Sequence, residues 1–107
     1  MQIQISTDHN IKGSPEFLTE TQKFEEIVLD ALGNFQEIIT RVEVYFTDVN
    51  AGKSGHEAKR CLIEARVSGI KSLIATNNAN NLLEALEGAT EKLRSSLDHT
   101  MGKIRNH

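Results

Sequence analysis

The chain has 107 residues, enough for one domain with one core. Its 38% hydrophobic and 25% charged residues exclude a disordered chain. The net charge is −3, Cys61 is the sole cysteine, and no apolar run is long enough to cross a bilayer, so an internal disulfide framework and a membrane helix are excluded.

The N-terminal stretch lacks a signal-peptide core, and a cytoplasmic protein is expected. The charge is polarised along the chain. Residues 1–48 hold nine acids and three bases, whereas residues 49–78 hold two acids and five bases. From Lys92 to His107 there are four bases and one acid. An acidic first half is thus followed by a basic middle and a basic end, a pattern that also fits scatter on a solvated surface.

Gln2 to Asp8 alternates, and predicts a first strand with Ile3 and Ile5 facing inward. Asn10 to Gly13 breaks it. Ser14-Pro15 is a helix start, with serine as N-cap and proline where its missing N–H costs nothing. Phe17, Phe24, Ile27, Val28, Ala31 and Phe35 recur at helical spacing, which predicts a helix from Pro15 to Leu32. Gly33 is expected there as a left-handed cap.

A β-hairpin is predicted next. In Thr40 to Thr47, Val42, Val44 and Phe46 alternate with polar neighbours. In Lys59 to Val67, Cys61, Ile63, Ala65 and Val67 share one face, opposite Arg60, Leu62, Glu64 and Arg66. The polar stretch Asp48 to Glu57 between the arms is too long for a tight turn, and is expected to be mobile. Ser68-Gly69 is a turn, and Ile70 to Thr76 is predicted as a fourth strand. Asn77 to Asn81 is expected to be a turn that caps a helix of about 25 residues. That helix carries Leu83, Leu86, Thr90, Leu93, Leu97, Met101 and Ile104, with Gly88 and Gly102 as weak points.

The order β-α-β-β-β-α has one apolar stripe on each helix and one apolar face on the sheet. The economical fold is an α+β two-layer sandwich, both helices on one face of a four-stranded sheet. The other sheet face stays wet.

No catalytic constellation emerges, and none of the ten positions named below as candidates is catalytic. Gly52-Lys53-Ser54 resembles the end of a phosphate loop, but Thr47 stands where the first glycine belongs and a strand follows instead of a helix. The histidines His9, His56, His99 and His107 lack metal-ligand spacing, so no metal and no cofactor is expected. Cys61 reads as a small core residue. No small-molecule substrate is implied. The remaining signal is basic: Arg41, Lys53, Lys59, Arg60, Arg66 and Lys71 in the sheet region, and Lys92, Arg94, Lys103 and Arg105 on the last helix. Such residues can neutralise RNA phosphates, and Tyr45 on the wet face can stack on a base or stand as a plain surface aromatic. RNA binding and protein interaction are both open on this basis.

Several stretches resemble the ribosome hibernation promoting factor family, which includes the ribosome-associated inhibitor A or sigma-54 modulation proteins. They are the opening Met1 to Ile5, Ile39 to Val44, Lys59-Arg60-Cys61, and Ala85 to Leu93. The similarity runs in order over nearly the whole chain and fits the short form, one domain over residues 1–107 without a C-terminal dimerisation domain. It implies a fold related to double-stranded RNA-binding domains. It also implies a non-enzymatic factor that docks on the small ribosomal subunit and its rRNA, between head and body, and inhibits translation under stress or in stationary phase. The Lys59-Arg60 pair, Lys92 and Lys103 match best. Asp30 and Gly33, and the run Asp98 to Met101, stand where the family commonly carries bases. An interaction domain of the same fold that has lost the ribosome is the alternative.

Overall fold

The computed structural model describes residues 1–49 and 59–105, the last three as backbone only. Four strands, β1 (Gln2–Thr7), β2 (Ile39–Asp48), β3 (Lys59–Val67) and β4 (Leu73–Ala79), form one sheet in the order β1-β2-β3-β4. β1 runs parallel to β2; the other two pairings are antiparallel. The described residues also form three α-helices, α1 (His9–Lys12), α2 (Pro15–Leu32) and α3 (Leu82–Arg105). Helices lie on one face of the sheet, as the apolar patterning predicts.

The core between the layers explains that arrangement. Val42, Val44 and Phe46 of β2 and Cys61, Ile63 and Ala65 of β3 are fully or almost fully buried. Phe24, Val28 and Leu32 descend from α2, and Leu82, Ala85, Leu86, Ala89, Leu93 and Leu97 from α3. The rings of Phe24 and Phe46 lie 5.1 Å apart, centre to centre, and join α2 to β2. Burying each such side chain stabilises the fold by about 1.5–3 kcal/mol.

Ile39 and Val42 both face the core although they are three positions apart, an odd step for a strand. A bulge between Ile39 and Arg41 absorbs the extra residue, Thr40, whose hydroxyl donates to the Arg66 carbonyl at 3.1 Å. From Arg41 onward the register is regular, with Arg41 opposite Arg66 on the open face.

Four expectations are corrected. Asp8 is not in the first strand; its carboxylate caps the one-turn helix α1 by accepting from Ile11 N at 3.0 Å, which buries Ile11. Gly33 is right-handed and continues α2 into a 3-10 turn, where Phe35 enters the core. The residue at positive φ is Gly69 (+80°), in the turn before β4, the only one among the described residues. β4 starts and ends three residues later than expected. Asn77 and Asn78 pair with Cys61 and Arg60 of β3, so the ladder overrides their turn preference.

The cap falls to Asn81. Its Oδ1 accepts from Glu84 N at 2.8 Å and its side-chain amide donates to the Glu84 carboxylate at 3.1 Å, an N-cap held by its own third residue. Glu16 adds a long-range cap, its two oxygens accepting from Leu82 N at 2.9 Å and Leu83 N at 3.1 Å. Gly88 lets β4 approach α3 closely, since a Cβ there would overlap the Asn77 amide. That amide donates to the Glu84 and Ala85 carbonyls, both at 3.4 Å.

Candidate nucleic-acid interface

Strand alternation carries most of the polar residues of β1 to β4 onto the face opposite the helices. Register arranges them in rows. Gln2, Arg41 and Arg66 form one row; Gln4, Glu43, Glu64 and Ile74 the next. Then come Ser6, Tyr45, Leu62 and Thr76, and after them Thr47, Arg60 and Asn78. Tyr45 and Ile74 are 41% and 58% exposed, which makes this face partly apolar as well as charged.

The rows set like charges side by side, Arg41 against Arg66 and Glu43 against Glu64. Direct cross-strand pairs of like charge are unfavourable, and diagonal contacts relieve them. One carboxylate, Glu43, pairs with Arg41 at 3.4 Å and with Arg66 at 3.3 Å. Arg41 also donates to the Gln4 side-chain carbonyl. Both arginines therefore share one acid, which lowers the positive charge this corner offers to a polyanion. Sequence alone does not reveal that clamp, because it depends on the register of β2 against β3.

Lys59 and Arg60 occupy opposite sides of β3. Lys59 reaches across to Asp48 at 3.2 Å, an ion pair at the strand end. Arg60 lies on the open face and donates to Asn78 at 3.2 Å. Lys92 of α3 donates to the Thr76 carbonyl at 3.0 Å and to Asn77 Oδ1 at 3.3 Å. Arg60 and Lys92 thus flank the same segment of β4 from its two sides, and neither makes an ion pair with a described residue. Lys71 is exposed in the turn before β4, beside the far end of the strand. Arg94 is exposed on α3, one helical turn from Glu91 and from Asp98. Lys53, together with the phosphate-loop-like Gly52-Lys53-Ser54 and the expected mobile loop, lies outside the described residues, as do the side chains of Lys103 and Arg105.

Cys61 is fully buried under the helices, and burial pushes its thiol up to about 12. Such a thiol stays protonated and unreactive. Among the described residues no group of three His, Cys, Asp or Glu side chains is placed to hold a metal ion. Nor is any described helix long and apolar enough to cross a membrane.

Residues 10–105 match the family model described as Sigma 54 modulation protein / S30EA ribosomal protein. The chain belongs to this family. Two solved structures share the S30EA fold seen here. A ribosomal subunit interface protein from Coxiella burnetii is 14% identical, with a TM-score of 0.67 over 95% of this chain and 99% of that one. The N-terminal domain of Protein Y from Thermus thermophilus is 15% identical, with a TM-score of 0.58 over 94% and 99%. No curated protein sequence matches. At such identities these two structures speak for the fold, and the S30EA model match carries the membership.

Proposed function

We propose that the protein is a cytoplasmic, non-enzymatic ribosome-associated factor that binds the small subunit through rRNA phosphates and inhibits translation. The observation that carries this reading is S30EA family membership over residues 10–105. The two similar structures, one named a ribosomal subunit interface protein and the other Protein Y, point the same way. On this reading Arg60 and Lys92 make the leading phosphate contacts, and Lys71 and Arg94 add to the field. Arg41, Lys59 and Arg66 contribute after exchanging Glu43 or Asp48 for phosphate, and Lys53, Lys103 and Arg105 extend the basic set. Such contacts use shape and charge more than base identity.

The test is co-sedimentation of the purified protein with small ribosomal subunits on sucrose gradients. Binding is expected at low salt, and it should fall by orders of magnitude between about 50 and 200 mM salt as released counterions lose their advantage. Equal association at both salts, or none at either, overturns the reading. Arg60→Gln should weaken binding several-fold without changing the melting temperature.

A protein-docking role for the same fold is the second reading. It is favoured by the Glu43 clamp, which leaves an open face of balanced charge around Tyr45, Leu62 and Ile74. A pull-down that recovers one protein and no ribosomal RNA selects it.

A further inference from the structure

The sheet has two edges, and the described residues guard only one of them. At β4, Lys92 occupies the Thr76 carbonyl and Asn77 is tied to the backbone of α3. A lysine laid along an edge is a common defence against a foreign strand. Among the described residues β1 has no such device. It pairs only with β2 among the described residues, so its outer side presents unpaired backbone N–H and C=O groups. The segment Gln2–Thr7 contains no charged residue and no proline. Its register with β2 runs unbroken from Gln2↔Arg41 to Thr7↔Phe46, so no bulge turns the edge away. Met1, Ile3 and Ile5 pack against the core but remain only half-buried.

We infer that β1 is a docking edge for a second copy of this chain, which adds its own β1 antiparallel about a two-fold axis at Gln4. The strand is complementary to itself in that arrangement. Ile3 falls opposite the partner copy's isoleucine at position 5, on the core side, and Gln2 falls opposite its serine at position 6, on the open side. No like charges meet. A two-fold interface requires such self-pairing, and an antiparallel strand pair supplies it. At the axis the two Gln4 side chains face each other. Each Gln4 carbonyl accepts from Arg41 and keeps a second lone pair, which can accept from the amide N–H of the other copy's Gln4. The result is one continuous eight-stranded sheet with completed burial of Ile3 and Ile5. The far edges, with Arg60 and Lys92, point away from the axis and stay accessible. The inference stands independently of the ribosome reading, because it is tested without ribosomes.

The experiment is sedimentation equilibrium of the purified chain across a wide concentration range. The mass should double with rising concentration for the wild type. Gln4→Lys sets two ammonium groups against each other at the axis on an exposed position, and should weaken the dimer at least tenfold. Gln4→Glu should weaken it similarly. An equimolar mixture of the two variants should recover a heterodimer, while circular dichroism melts show both variants folded. A wild type that stays monomeric at every concentration overturns the inference. So does a Gln4→Lys dimer of unchanged affinity, which would place the interface elsewhere.

Discussion

The two faces of the sheet teach different lessons. The helix-covered face is dry and closely packed, and its residues are almost interchangeable in chemistry: valine, isoleucine, phenylalanine, alanine and one thiol. The open face is wet and its residues are individually distinct, with charges that answer one another across strands. Burial dominates the first, at about 25 cal/mol per Å² of apolar surface. Screened electrostatics govern the second, where each exposed pair contributes about 0–1 kcal/mol. The first face therefore decides stability, and the second decides what the protein can touch.

Substitutions on the two faces should separate these roles. The largest effect is expected at Phe46, which is fully buried against Phe24. Phe46→Ala should cost about 3–5 kcal/mol, read as a lowered urea midpoint. A loss below 1 kcal/mol would mean that the dry face is not packed as described.

The thiol of Cys61 offers a sharper probe of the same face. Its folded pKa is raised by burial from 9.0 to about 12. The unfolded chain therefore gives up the thiol proton first as pH rises. Stability from this group is intact below pH 9 and is lost on rising toward 12, at up to about 1.4 kcal/mol per pH unit. Denaturant midpoints of the wild type and Cys61→Ala measured across this range should differ in slope. Parallel profiles would show a thiol in contact with water.

A smaller effect is expected where the two helices meet. Glu16→Ala removes both side-chain acceptors from the first N–H groups of α3. The expected loss is about 1–2 kcal/mol in thermal or chemical unfolding. Glu16→Gln should lose less, because its carbonyl still accepts one of the two bonds.

The smallest stability effect belongs to the open face. Glu43→Gln releases Arg41 and Arg66 from their shared acid and should change stability by less than about 1 kcal/mol. On the proposed function it should nevertheless raise affinity for small ribosomal subunits several-fold at low salt. Weaker binding would mean that the clamp positions the arginines for their target.

Much of the dry face was legible in the sequence. Ser14-Pro15 and the spacing of Phe24, Val28 and Leu32 locate α2, whose bounds match the expectation. The alternation in Thr40 to Thr47 and Lys59 to Val67 locates the hairpin, and the fold class follows from one apolar face on each element. Ile11 escaped, because a single apolar residue between polar neighbours carries no period. The end of β4 was misread because asparagines carry a local turn preference, while pairing with β3 acts at long range.

The candidate interface was legible only as a set of residue types. Strand parity separates Lys59 from Arg60, but the pairing of Arg41 and Arg66 through Glu43 needs the register of β2 against β3. The joint approach of Arg60 and Lys92 to β4 likewise joins residues far apart in the chain.

By itself the sequence determined which faces are apolar, because hydrophobic periodicity is a local property that each helix and strand carries within its own residues. Only the tertiary structure decided which charges neutralise each other and which edge is left open. Those outcomes depend on which strands become neighbours and in what register, and no single segment encodes that.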